Sequence, residues 1–153
     1  MPQLGLGIIG NGTIASLIDI DGRQRWFCFP RLDGDPLFNA LVNDDDPATG
    51  FMDVILQGAT KRKQIYLRNT AVLETIIADD SGASIRIINF APRFTRFGRF
   101  FCHPMLIRRI EPVAGRCPSR FGCDRYSTTG LTSRAWSSAA TIFASLLGTM
   151  LYE

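Results

Sequence analysis

Gly5-Leu6-Gly7-Ile8-Ile9-Gly10 has the GxGxxG spacing of a dinucleotide-binding loop, in which bare backbone meets a pyrophosphate at a helix N-terminus. That chemistry needs a strand before the motif and a helix at its end. Here only four residues precede it, and Asn11-Gly12, a hairpin signal, follows. The glycines therefore read as part of a strand and its turn. Asp44-Asp45-Asp46, with Asp33 and Asp35 near in sequence, offers carboxylate oxygens of the kind calcium takes, but EF-hand spacing and the turn glycine are missing. A solvated acidic connection is expected there, and no metal. Lys61-Arg62-Lys63 reads as an exposed turn rather than a phosphate site. His103, the only histidine, stands between Cys102 and Pro104; a thiol beside an imidazole also needs geometry and an orienting group to become a nucleophile. No such order can be assembled, so a structural or exposed histidine is expected. Arg93-Phe94-Thr95-Arg96-Phe97-Gly98-Arg99-Phe100-Phe101 interleaves cations with aromatics as single-strand nucleic-acid binders do. The same pattern suits a long loop with its rings packed beneath and its guanidinium heads in water.

The elements that must position these residues read as β-strands. Strands are expected over 6–9, 14–20, 25–29, 51–56, 64–67, 72–77, 84–90 and 106–112. Within 14–20, Ile14, Ser16, Ile18 and Ile20 share one face, and Ala15, Leu17 and Asp19 the other. Asn11-Gly12, Asp21-Gly22 and Asp80-Ser81-Gly82 supply tight turns, Pro30 stops the third strand, and one helical turn is expected around 37–41. Short strands at close spacing with Gly/Asp turns predict an all-β, antiparallel β-sandwich.

Composition narrows the class further. The chain has 153 residues, 46% of them hydrophobic and 20% charged, which allows one globular domain with a core. A net charge of +3 does not by itself argue for nucleic acid. The start, Met1-Pro2-Gln3-Leu4, has no basic n-region, so no signal peptide is expected. Four cysteines, Cys28, Cys102, Cys117 and Cys123, show no paired zinc spacing; free thiols and a cytoplasmic setting are expected.

Several segments, in order, carry a resemblance. They are Ile9-Gly10-Asn11-Gly12, then Trp26-Phe27-Cys28-Phe29-Pro30-Arg31-Leu32-Asp33, and Tyr66 to Thr75 with its Thr70-x-Val72-Leu73-x-Thr75 pattern. Phe90-x-Pro92 and Leu106-Ile107-Arg108-Arg109-Ile110-Glu111 follow. Together they resemble the N-terminal, trehalase-like domain of glycoside hydrolase family 15, the glucoamylase and trehalase family. The resemblance implies a β-sandwich that precedes an α/α-toroid barrel, in which two glutamates hydrolyse α-glucosidic bonds with inversion. It implies that Arg93 to Phe101 belongs to a loop between two strands, and so no nucleic-acid partner. The barrel and its glutamates are not recognised here: Glu74, Glu111 and Glu153 are the only glutamates, and the first two fall in expected strands. No catalytic residue and no cofactor are assigned. Where a sandwich loop meets the substrate end of the barrel, Trp26 is the candidate for sugar stacking and Arg31 or Asp33 for hydroxyl bonding. The plain alternative is a core tryptophan and an Arg–Asp pair that orders the loop after Pro30.

The resemblance covers residues 1–116 and then breaks. One permitted codon choice for Pro118 to Gly130, read in a shifted frame, spells Ile-Pro-Ile-Arg-Val-Arg-Pro-Val-Phe-Asp-Tyr-Gly, a strand of the kind expected at that point. Residues 117–153 are therefore read as an out-of-frame tail. Residues 136–152 are apolar enough for a short helix but fall below the ~20 residues usual for a membrane span, and no anchor is expected. The reading is thus a partial, non-catalytic sandwich domain of a family 15 enzyme acting on an α-glucoside or trehalose, inactive without its barrel. The alternative is a free-standing carbohydrate-binding or protein-interaction module.

Overall fold

The computed structural model describes residues 5–43 and 50–115, together with the backbone of 119–124 and 136–137. The fold is all-β, and no helix forms among the described residues, hence none long and apolar enough to cross a membrane. The larger sheet contains β1 (Gly7–Gly10), β2 (Ala15–Ile18), β3 (Gln24–Cys28), β4 (Pro36–Phe38) and β5 (Phe51–Leu56). The smaller sheet contains β6 (Ala59–Tyr66), β7 (Leu73–Asp79), β8 (Ser84–Phe90) and β11 (Ile107–Ala114). Between β8 and β11 the chain forms a separate hairpin, β9 (Phe94–Arg96) and β10 (Arg99–Phe101). After residue 116, β12 (Ser119–Asp124) and β13 (Trp136–Ser137) join the larger sheet.

The larger sheet runs β1-β2-β3-β5-β12-β13 with β4 paired to β3, and the smaller runs β11-β8-β7-β6. Every pairing is antiparallel. Alternation explains the inner faces. Leu73, Thr75 and Ile77 are buried on β7, Ile85, Ile87 and Asn89 on β8, and Met52, Val54 and Leu56 on β5, while the intervening residues are more exposed. Both core clusters take residues from both sheets. One joins Ile9, Ile14, Ile18, Phe27, Phe38 and Met52 to Leu73; the other joins Val54 and Leu56 to Ile77, Ile85 and Ile87. Burying a phenylalanine such as Phe27 contributes ~1.5–3 kcal/mol.

Polar side chains lie at the level between the clusters. Thr75 sits between Leu73 and Ile77 on the inner face of β7 and is fully buried. Gln64 Nε2 donates to Thr75 Oγ1 (3.2 Å) and to Asp19 O (2.7 Å), linking the sheets. Arg108, 2% exposed, donates from Nη1 to Met52 O (3.2 Å) across the same gap. Gln24 Nε2 donates to Ser16 Oγ (3.1 Å), which donates to Trp26 O (3.0 Å). The Gln64 and Arg108 bonds therefore help to fix how the sheets sit, while the Gln24–Ser16–Trp26 bonds brace β2 against β3 within one sheet.

Four expectations from the sequence change. The helical turn around 37–41 is strand β4 followed by a turn, because Phe38 is drawn against Phe27 with ring centroids 6.0 Å apart. Lys61-Arg62-Lys63 is not a turn but the middle of edge strand β6; it is exposed as expected, and its charges suit an edge that must not recruit further strands. Residues 93–101 form a hairpin rather than a loop. Trp136 and Ser137 lie in β13 rather than at the start of a helix, and the rest of that expected helix is outside the described residues. The Asp44–Asp46 acidic connection is likewise outside them.

Candidate functional site

The hairpin between β2 and β3 places most of the charge of one cleft. Asp19 organises it: Oδ1 accepts from the backbone N–H of Asp21 (3.0 Å) and Arg23 (2.9 Å), and Gly22 N donates to Asp19 O (3.0 Å). The turn so formed points Arg23 and Arg25 to where β5 and β6 bring Asp53 and Arg62. Asp19, Asp21, Arg23, Arg25, Asp53 and Arg62 line a cleft of about 390 Å³ with Val54, Ile55, Leu56, Ala59 and Ile77. Arg62 is ion-paired to Asp21, Arg25 Nη1 lies 3.6 Å from Asp19 Oδ2, and the Arg23 guanidinium covers the Phe51 ring at 4.2 Å. Burial pushes the Asp19 carboxyl above the usual aspartate range, opposed chiefly by the hydrogen bond from Arg23 N. The sign follows from proton linkage: the folded state binds that proton more tightly, so this group subtracts stability as pH rises from the ordinary aspartate value through the raised one. Alternating guanidinium and carboxylate groups can donate to and accept from a polyhydroxylated or zwitterionic ligand.

A second cleft, of about 520 Å³, is lined by Gly10–Gly12, Thr70–Val72 and Phe90–Phe94. Asn11, 4% exposed, is its structural pivot. Oδ1 accepts from Thr13 N (3.0 Å) and Ile14 N (3.2 Å), holding the β1–β2 turn. Nδ2 donates to Pro92 O (3.3 Å) and His103 O (2.7 Å), holding both ends of the segment that carries β9 and β10. Cys102 Sγ donates to Asn11 O (3.2 Å). His103 is exposed, packs edge-on to Phe101 at 4.5 Å, and contributes its carbonyl to this anchor. Gly10 of the GxGxxG stretch closes β1, where an added Cβ would come within 2.6 Å of the Ile14 backbone oxygen; close backbone approach in the β1–β2 hairpin, not a phosphate, accounts for this glycine.

Trp26, Arg31 and Asp33 line neither cleft, whereas Arg62 lines the first and Gly10, Arg93 and Phe94 line the second. Trp26 is half-buried in β3, opposite Leu17. Arg31 and Asp33 form a two-pronged pair, Nε to Oδ1 at 2.9 Å and Nη2 to Oδ2 at 2.8 Å, with side chains 73% and 69% exposed. That geometry orders the loop after Pro30 and leaves both groups on the surface. Glu74 and Glu111 meet on a common cation: Arg86 Nη1 lies 3.6 Å from Glu74 Oε1, and Arg86 Nη2 lies 2.8 Å from Glu111 Oε2. Arg109 pairs with Glu111 as well. Cys28 and Cys102 are free thiols, and among the described residues no three His, Cys, Asp or Glu side chains gather as a metal site.

Sequence reasoning did not single out Asn11, Asp19 or Arg23 as site residues. For Asp19 a signal existed, since an aspartate just before Asp21-Gly22 is a natural acceptor for turn N–H groups. For Asn11 the turn was legible but not the long-range bonds. No protein-family model matches this chain, and no curated protein or solved structure matches it either.

Proposed function

We propose that this chain is the non-catalytic N-terminal portion, a β-sandwich, of a family 15 glycoside hydrolase of the glucoamylase or trehalase type. Its role is then to support an α/α-toroid barrel that hydrolyses α-glucosidic bonds with inversion, in carbohydrate metabolism in the cytoplasm. The observation that carries the reading is the ordered set of motifs from Ile9 to Glu111. It is supported by where those motifs fall. Ile9–Gly12 closes β1, Trp26–Asp33 takes the end of β3 and the loop beyond it, Tyr66–Thr75 joins β6 to β7, and Leu106–Glu111 runs into β11. Glu74 and Glu111 both serve the ion pairs around Arg86, which suits a portion that carries no acid and base of its own.

The test is to resequence the gene from the codon for Ile110 well past the stop. A shifted frame that continues into helices bearing two glutamates supports the reading; a frame that closes at once removes it. A second reading, a free-standing carbohydrate-binding module, is favoured by the cleft at Asp19, Arg23 and Arg62. Retention of the purified chain on an α-glucan column, lost in Arg23→Ala, would put this second reading first.

A further inference from the structure

The β9–β10 hairpin pairs with neither sheet, and each of its six strand residues is exposed. Four phenylalanines stand on it without a core to enter: Phe94 is 46% exposed, Phe97 88%, Phe100 59% and Phe101 43%. Three arginines, Arg93, Arg96 and Arg99, are set among them, and from residue 81 to 110 the sequence holds no aspartate or glutamate. The tip adds a second observation. Phe97 and Gly98 turn the chain with φ of 52° and 69°, a region that favours glycine and that a bulky aromatic rarely occupies. The Arg96 guanidinium over the Phe97 ring returns ~0.5–1 kcal/mol at an exposed site, less than the ~1–3 kcal/mol that such a backbone conformation costs, so the ring is better explained by a surface outside the molecule.

We propose that this hairpin is a peripheral docking element for an anionic phospholipid surface, with Phe97 entering the headgroup–acyl boundary and Arg96 and Arg99 at the level of the phosphates. Charge complementarity identifies the occupant: aromatic tip and cationic shoulders match an apolar layer beneath a negative one. Arg96 and Arg99 are directly paired across the hairpin next to the tip, so insertion of Phe97 brings both guanidinium groups to the phosphate layer together. Arrangement of the rings argues against single-stranded nucleic acid. Phe94 and Phe101 stack on each other (5.1 Å, 19°), Arg93 covers Phe100 at 5.0 Å, and Arg96 covers Phe97 at 5.1 Å. Base stacking would need consecutive open ring faces along one side. A lipid boundary needs only the tip and its flanks. This is surface attachment, independent of any membrane-spanning segment and of the glycosidase reading.

Vesicle flotation tests it without confusing binding with aggregation. The full chain should float with equimolar phosphatidylserine and phosphatidylcholine vesicles, stay down with phosphatidylcholine alone, and detach as salt is raised. Phe97→Asn is the discriminating variant, because asparagine before glycine is the favoured pair for such a turn and the hairpin is preserved. It should weaken vesicle binding by about tenfold or more. Exchanging both Arg96 and Arg99 for glutamine should weaken binding while making it less sensitive to salt. Failure of the wild-type chain to float, equal flotation on neutral vesicles, or unchanged binding by Phe97→Asn would each overturn the proposal. So would binding of an oligothymidylate with the same dependence on Phe97, which would assign the surface to single-stranded nucleic acid instead.

Discussion

The hairpins β7–β8 and β9–β10 are built alike and behave oppositely. Each is closed by a turn with a positive-φ glycine, Gly82 at 91° and Gly98 at 69°. Asp79 steadies the first turn by accepting from Ala83 N and Ser81 Oγ, both at 2.8 Å. In β7–β8 one face is covered, and Leu73, Ile77, Ile85 and Ile87 disappear into the core. In β9–β10 neither face is covered by a sheet, and the side chains contact mainly one another. The difference shows that strand pairing and burial are separate properties. Only the second contributes strongly to global stability, since a lone two-stranded hairpin is marginal in water.

The sharpest test compares core and surface truncations. Ile87→Ala should cost ~2–5 kcal/mol in urea unfolding through lost burial and a cavity, whereas Phe100→Ala should stay within ~0.5 kcal/mol. Equal costs would mean that β9–β10 is packed as firmly as β7–β8. Next comes the anchor at the root of the second hairpin. Asn11→Ala removes the acceptor of Thr13 N and Ile14 N and the donor to Pro92 O and His103 O, and should cost ~1–3 kcal/mol. Amide exchange across 94–101 should rise more than across β7 and β8.

A smaller effect separates the turns. Gly82→Ala should lower global stability by ~1–2 kcal/mol because the backbone there must remain at positive φ. Gly98→Ala should leave global unfolding nearly unchanged, since the exposed hairpin can open locally, and the change should appear in local hydrogen exchange alone. Smallest is the charge in the first turn. The Ser81 hydroxyl, more than any other group, holds the Asp79 carboxyl below its ordinary range. The stability it provides is therefore present above the ordinary aspartate value and is lost as pH falls through the lowered one. Asp79→Asn should flatten the acid side of the pH–stability curve, and its difference from wild type should vanish at the lowest pH.

These contrasts also explain what could be read from the chain. Residues 51–56 and 84–90 were predicted with the bounds they adopt, because one buried face imposes alternation on Met52-x-Val54-x-Leu56 and Ile85-x-Ile87. The shared face of Ile14, Ser16 and Ile18 is legible for the same reason and is the buried one, while Ile20 falls beyond the end of β2 and is 42% exposed. Strand β6 was seen only over its last residues, since an edge of Thr60, Lys61, Arg62 and Lys63 has no apolar period. β9–β10 reads as a loop in the sequence because a hairpin open on both faces leaves no period either. At the clefts, Arg31 and Asp33 were named together and do pair, but their nearness in sequence reflected a local loop. The groups lining the first cleft come from the β2–β3 turn and from β3, β5, β6 and β7, and their meeting depends on the register of the sheets.

Because a single carboxamide ties Pro92 to His103, everything strung between those residues leaves and re-enters the frame at one point. Such an excursion behaves as a cassette. Closing a loop costs only ~0.6 kcal/mol more for each doubling of its length, so related chains are free to lengthen, shorten or replace residues 93–101 while the two sheets keep their register. Asn11 thereby divides the molecule into a part whose sequence is constrained by packing and a part whose sequence is open to change.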